Sequence, residues 1–352
     1  MAETTSDAPV ILVDAYSQIF RSFFAIAHLS RHDGFPTNAL FAFGRLLLQL
    51  EKDYEPRAGA MFFDCGKPAF RLALAADYKS NRPPMPEELR KQMPVLRELI
   101  AAFGWSAHQC ENYEADDLIG AAVHTLPERA FRIVSSDKDL AQLIGERVTM
   151  LIPARVGSGF EARGAPETAV RFAVNPEQMV DYLALLGDNS DAIAGVPGVG
   201  PKTAADILHE CGSLERFFAA PELVAKDKLR DKLLAARDLI ERNRKLIRLR
   251  GDWPEQLPPP PDALVKHAPD WTRVAELFRE YELRSLLKDL PLAPELPSAP
   301  AADAQPAPEP ELPEEPDLFN WRPAPASDAA EKPAAGRREE ASDDLFAGWT
   351  KP

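Results

Sequence analysis

Three separate stretches of this chain, VILVDAY at 10–16, AGAMFFDCG at 58–66 and FRIVSSDKD at 131–139, are apolar for the length of a strand and then deliver an aspartate. Unbroken apolar runs of that length suit strands buried on both faces of a parallel sheet. Helical patterns lie between them at Asn38–Lys52, Glu87–Ala102 and Glu114–His124. The alternation predicts an α/β fold with a mainly parallel central sheet flanked by helices. Ligands of such sheets collect beyond the carboxyl ends of the strands, where Asp14, Asp64, Asp137 and Asp139 fall.

Aspartate is disfavoured in strands, and burying several like charges without cations is costly. Glu114, Asp116 and Asp117 open a helix, where the helix dipole favours negative charge, so this trio alone has an ordinary explanation. Asp137-Lys138-Asp139 and Asp188-Asn189-Ser190-Asp191 are acidic turns, each unremarkable by itself. Taken together, the nine acids call for positive charge. No His or Cys accompanies them, so the fitting ions are hard, oxygen-seeking Mg²⁺ or Mn²⁺. Two such ions roughly 4 Å apart are the usual means of in-line phosphodiester cleavage.

From about residue 175 the pattern turns helical. Gly195-Val196-Pro197-Gly198-Val199-Gly200-Pro201-Lys202-Thr203-Ala204 reads as a tight hairpin opening a helix, with Lys202 and Thr203 where a phosphate would lie. Helix–hairpin–helix modules hold duplex backbone in this way without reading sequence. Residues 226–250 contain ten Lys or Arg against four acids. Tyr78-Lys79-Ser80-Asn81-Arg82, with Phe70-Arg71 upstream, sets cations and aromatics at the entrance of an excursion over 83–109. That group reads either as a solvated charged face or, beside a metal site, as a place where Lys79 and Arg82 meet a phosphate and Tyr78 stacks on a base. PEQLPPPP at 254–261 reads as a rigid linker, and Trp271–Leu290 as a last amphipathic helix.

Composition divides the chain. Of 34 prolines, 13 fall in residues 291–352, and that segment carries −8 of the total formal charge of −14. Its Pro, Ala and Glu content predicts disorder. The remaining body is only −6, which excludes a uniformly basic nucleic-acid coat. Within the tail, Asp317-Leu318-Phe319-Asn320-Trp321 and Asp344-Leu345-Phe346-Ala347-Gly348-Trp349 repeat one theme. Similar L-F peptides are ligands of bacterial sliding clamps, so the pair suggests a replication partner held with avidity. The first apolar run, Val10–Val13, is too short for a signal peptide, and no stretch reaches the length that spans a bilayer, so a soluble cytoplasmic protein is expected. Cys65, Cys110 and Cys211 are too scattered for a disulfide framework or a zinc site.

The segments VDAYSQIFR, FFDCGKPAFR, DYKSNRPPMPEELRKQ, YEADDLIG, SSDKDLAQLI and GDNSDAIAGVPGVGPKTA resemble, in order, the motifs of the 5′-nuclease domain of bacterial DNA polymerase I and its flap endonuclease relatives. The likeness spans roughly residues 9–290. It implies a PIN-like or resolvase-like sheet, a helical arch over about 78–109, and a helix-3-turn-helix that holds K⁺ through hairpin carbonyls. By the same resemblance, Asp14, Asp64, Glu114 and Asp116, with Asp117 nearby, serve one metal region, and Asp137, Asp139, Asp188 and Asp191 the other. Lys79 and Arg82 match cations that steer the phosphate. Arg21, Phe70, Arg71 and Tyr78 match substrate contacts, and Gly198, Gly200, Lys202 and Thr203 match the duplex grip. The family commonly has Asn and Pro where this chain has Ala192 and Ala194, and Gly where it has Ala15.

The expected organisation is a flexible 1–9, a catalytic 10–174, a helical DNA-binding 175–290 and the tail 291–352. The expected activity is that of a free-standing, monomeric 5′-3′ exonuclease or flap endonuclease acting on DNA with a free 5′ end in replication and repair, at the bacterial nucleoid. Two rivals remain: a DNA-junction binding protein that does not cut, and a PIN-like ribonuclease. The complete set of acids speaks against the first, and the hairpin after Gly195 against the second.

Overall fold

The computed structural model describes residues 8–154 and 159–291. The first half runs β1 (Val10–Asp14), α1 (Ala15–Ala25), α2 (Asn38–Tyr54), β2 (Gly59–Phe62), α3 (Ala69–Leu74), α4 (Glu87–Ala102), β3 (Ser106–His108), α5 (Ala115–Thr125), β4 (Phe131–Val134), β5 (Val148–Pro153) and β6 (Phe160–Arg163). These six strands form one sheet in the order β3-β2-β1-β4-β5-β6. All neighbouring pairs are parallel except β5 with β6. The three apolar runs of the sequence occupy its centre, with every residue of β1 buried.

Strand alternation divides the core by face. Leu12, Ala60, Phe62, Phe131, Ile133 and Met150 pack towards α5 and the helices beyond it. Ile11, Val13, Met61, Val134 and Leu151 pack with α1, α2 and α4.

After the sheet come α6 (Ala165–Phe172), α7 (Met179–Leu186), the two-residue strands β7 (Gly187–Asp188) and β8 (Ile193–Ala194), α8 (Pro201–Cys211), α9 (Leu214–Ala219), α10 (Asp227–Ala235) and α11 (Arg237–Ile247). The β7–β8 hairpin is close enough that a Cβ at Gly195 would lie 2.0 Å from the Leu186 carbonyl oxygen, so only glycine fits there. Buried Asn243 on α11 pins the hairpin, its Nδ2 donating to the carbonyls of Ala184 at 3.0 Å and Ala194 at 2.8 Å.

Three organisational expectations need correction. Residues 87–109 do not stand off as a helical arch. The apolar face of α4, including Leu89, Val95, Leu96 and Leu99, is buried, Gln92 bonds to Asn38 and the Leu40 amide of α2, and β3 joins the sheet. The loop between Tyr78 and Pro86 brings Lys79 and Arg82 against Glu114 and Asp191. Next, the proline-rich 254–261 is no spacer. It leads through α12 (Pro260–Ala263) into a strap along the sheet edge, where Gly59 donates to Leu264 and His267 donates to Gly104, both at 2.8 Å.

Finally, the chain does not end in the helical lobe. The strap carries it back to α13 (Trp271–Glu280) and α14 (Arg284–Leu287), which bury Val274, Phe278, Leu283 and Leu286 in the core of α1, α2 and α4. The single helix expected over 271–290 is broken at Glu282, whose φ of 58° lies in the left-handed region. Among the described residues no helix is long and apolar enough to cross a membrane. The two tail motifs and the disorder expected there lie outside the described residues.

Candidate active site

The carboxyl ends of the strands gather the acids because each local turn uses one as a hydrogen-bond acceptor. Asp14 closes β1 and caps α1, accepting from Ser17 N at 3.2 Å and Ser135 Oγ at 3.0 Å. Asp64, just past β2, accepts from Ala115 N at 2.7 Å and so joins that strand to the start of α5. Asp137 accepts from Asp139 N at 3.0 Å in the turn after β4. Asp188 accepts from Ser190 N at 2.8 Å and Ser190 Oγ at 2.6 Å between β7 and β8.

Electrostatics tie these turns into one pocket. Burial, with Asp64 and Asp137 adding repulsion, pushes Asp14 up to about 7. Burial raises Asp139 well above the usual carboxylate range, with Asp137, Asp188 and Asp191 contributing. Asp116 is raised well above it by burial and then by Asp117, although Arg71 opposes the rise. Asp137 is also raised, burial leading and the Asp139 amide resisting. For Asp188 burial pushes up, but Lys138 and the Ser190 hydrogen bonds outweigh it and hold the group low. Charge interactions thus make neighbours of these acids, and among the described residues Glu114, Asp116 and Asp117 have carboxylate oxygens within 4.8 Å of one another.

Cations from the Tyr78–Arg82 loop reach into the same pocket. The Lys79 ammonium binds Glu114 and lies 3.9 Å from Asp191. Its backbone amide donates to the Asp191 carbonyl at 3.0 Å, which holds Lys79 at a left-handed φ of 52°. Arg82, 46% exposed at its side chain, contacts Asp191 Oδ1 at 2.5 Å. Lys138 lies 2.9 Å from Asp188 Oδ2. The sequence reading missed Lys138, though a lone cation between two acids was a visible signal.

Three residues are placed differently from expectation. Arg71 is 1% exposed, so it does not reach a duplex. Its guanidinium forks onto Asp117 at 2.6 and 2.8 Å, reaches Glu114 Oε2 at 2.6 Å and donates to the Leu246 carbonyl at 2.9 Å. Tyr78 is 3% exposed and cannot stack on a base; its hydroxyl donates to Glu114 at 2.8 Å and Asp191 at 3.3 Å. Asp117 accepts from Arg71, Glu114 N and Arg250 N, so both oxygens are engaged. Glu114, Asp116 and Asp117 have oxygens within 4.8 Å of one another, those of Asp117 being already hydrogen-bonded.

Of the remaining expected contacts, half-buried Arg21 donates to the Pro153 carbonyl at 3.0 Å, and Phe70 lies 4.8 Å from the Arg71 guanidinium. Gly198, Gly200 and Lys202 are exposed at the hairpin tip, with Thr203 half-buried. Gly198 has a φ of 75°, and Lys232 of α10 sits against this turn, where a Cβ would meet its Nζ at 3.0 Å. The basic run thus contributes a cation to the hairpin. Ala192 takes a φ of 59°, a conformation in which Asn is more at ease. Ala192→Asn is expected to raise stability by up to about 1 kcal/mol, read from urea denaturation.

The donor set suits a hard divalent ion: the candidates are all oxygen, and Asp139 Oδ1 is buried with no hydrogen-bond partner. A pH dependence follows. The folded protein retains protons on Asp14 up to about 7, whereas the unfolded chain releases them near the usual carboxylate value. Without divalent ions, stability is expected to fall as pH rises between about 4 and 7, by at most on the order of 4 kcal/mol for Asp14 alone. Thermal melts in chelator should show this fall, and excess Mg²⁺ should raise Tm more at pH 8 than at pH 5.5.

Fold and pocket together define an α/β protein with a carboxylate cluster at its parallel strand ends and a duplex-type hairpin beside it. The family model described as 5′-3′ exonuclease, N-terminal resolvase-like domain, matches residues 9–171, and its companion, the 5′-3′ exonuclease C-terminal SAM fold, matches 174–271. The chain belongs to the 5′-3′ exonuclease family. A 5′-3′ exonuclease of Aquifex aeolicus is 35% identical over 281 residues, covering 79% of this chain and 94% of that protein. DNA polymerase I of Bacillus caldotenax is 34% identical over 283 residues, covering 80% of this chain. The chain spans only 32% of that polymerase's length.

Among solved structures, the T5 D15 protein co-crystallised with metal ions superimposes with a TM-score of 0.54 at 22% identity, over 79% of this chain and 98% of that one. The catalytic core of Rad2 in complex with DNA substrate gives 0.53 at 17% identity, over 80% and 93%. Both show a shared fold.

Proposed function

We propose that this chain hydrolyses DNA phosphodiester bonds near free 5′ ends, as a 5′-3′ exonuclease and flap endonuclease in replication and repair. The observation that carries the reading is continuity: Asp188 and Asp191 lie in the β7–β8 turn, and the hairpin with Gly198, Gly200 and Lys202 follows directly. A backbone held at the hairpin is thereby placed at a fixed distance from the acids. A PIN-like ribonuclease would have no use for that coupling.

In this reading Asp14, Asp64, Glu114 and Asp116 hold one divalent ion, and Asp137, Asp139, Asp188 and Asp191 the other, Mg²⁺ or Mn²⁺. When bound, such ions supply Lewis acidity and lower the pKa of water. Lys79 and Arg82 turn from the acids to the scissile phosphate and offset its developing charge. Tyr78 and Arg71 keep Glu114 in place while those cations move. Free amides at the start of α8, with Lys202, Thr203 and Lys232, hold the duplex phosphates without reading bases. The hairpin carbonyls are the proposed seat of K⁺.

The protein is proposed to act as a monomer at the bacterial nucleoid, with the two D-L-F segments of the tail recruiting a sliding clamp or another replication protein. Incubation with a labelled 5′-flap duplex is expected to release the flap with Mg²⁺ and leave it intact in chelator. Tight flap binding with no cleavage at any Mg²⁺ concentration would instead establish the non-cutting junction binder, and cleavage of RNA alone the ribonuclease.

A further inference from the structure

The two halves of the acidic pocket are neutralised by different cations. Among the described residues, Asp14, Asp64 and Asp116 have no ion-pair partner, while Glu114 of the same half pairs with Arg71 and Lys79. In the other half, Asp191 faces Arg82 and Lys79, and Asp188 faces Lys138. These cations are not equivalent. Lys79 and Arg82 belong to the loop before α4, which turns to the phosphate in the proposed reaction. The backbone of Lys138 is fixed between Asp137 and Asp139, so its ammonium can swing aside but remains in their neighbourhood. Its side chain is 18% exposed, and its ammonium takes the Asp188 oxygen that Ser190 leaves available, since Ser190 N and Oγ both donate to the other one.

We propose that Lys138 competes with the second divalent ion for Asp188, and so sets how weakly that ion is held before substrate arrives. The proposal rests on the metal-dependent reading above. An ammonium and a divalent cation sharing one carboxylate in a partly buried pocket repel each other strongly. An ion entering this half must push the Lys138 ammonium aside, whereas the lysine met in the other half, Lys79 on Glu114, belongs to the loop that turns to the phosphate. The second ion is thereby held more weakly than it would be without Lys138, which is a positioning residue for it.

The test is Mn²⁺ titration of the full chain without DNA, free ion being read by electron paramagnetic resonance. Lys138→Gln is expected to tighten the weaker affinity by about tenfold or more, with the stronger one unchanged. Lys138→Arg, which keeps the charge, should stay at the wild-type value. The double variant Lys138→Gln/Asp188→Asn should lose the gain. A weaker affinity that is unchanged or further loosened in Lys138→Gln overturns the proposal, because a lysine that merely braces Asp188 cannot tighten the site when removed. So does a gain that survives in the double variant. A wild-type chain that binds no Mn²⁺ at all overturns the metal-dependent reading itself, and the role of Lys138 with it.

Discussion

Asp116→Ala is expected to reduce cleavage of a 5′-flap duplex on the order of 10³-fold or more, because loss of one preorganised electrostatic group already costs 10²–10³. Asp116 sits at the start of α5, its carboxylate accepting from Asp117 N at 2.7 Å. Burial and the neighbouring Asp117 raise its pKa well above the usual range, and a cation close by favours its charged form. Duplex binding should survive, since the hairpin at Gly198 and Lys202 belongs to a different element. The same substitution removes a crowded like charge, so Tm measured in chelator should rise at pH 8. Single-turnover cleavage within about tenfold of wild type would remove Asp116 from the catalytic machinery.

Arg71→Ala is expected to cost about 3–5 kcal/mol of folding stability, the usual result of removing one partner from a buried ion pair. Its guanidinium touches Glu114, Asp117 and the Leu246 carbonyl, and thereby joins α3 to α5 and α11. Without it, Glu114 and Asp117 are left as buried charges near Asp116. Arg71→Lys should recover only part of the loss, because an ammonium cannot fork onto a carboxylate. Urea denaturation of the three proteins gives the comparison. A loss under about 1 kcal/mol for Arg71→Ala would mean that the cluster is neutralised by other groups.

The central sheet was legible because its strands announce themselves: Val10–Val13 is an unbroken apolar run and Phe131–Val134 is apolar but for Arg132, and such runs in a parallel sheet have few alternatives. The acids were legible for the converse reason, since aspartate after such a run is costly without a use. What eluded the sequence was the destination of each charge. Phe70-Arg71 reads as an aromatic and a cation at a substrate entrance, and nothing local shows that Arg71 meets partners at Glu114, Asp117 and Leu246. Tyr78 likewise reads as an exposed stacking ring until Glu114 and Asp191 close over its hydroxyl. Within the arch expected over 78–109, the packing of α4 was not legible: the helix is amphipathic and its apolar face is covered by α2 and α13. Prolines at 258–261 suggested a spacer, yet a spacer and an edge-covering strap share a composition and differ only in what they lie against.

The returning strap means that the lobes are not beads on a string. The segment entering first and the segment leaving last share one apolar layer, so neither lobe can be excised by a single cut without exposing that layer. A fragment ending near residue 271, where the family match stops, would lack Val274, Phe278, Leu283 and Leu286 and leave α2 and α4 bare on that side. Expression boundaries for a minimal nuclease therefore belong after Leu290.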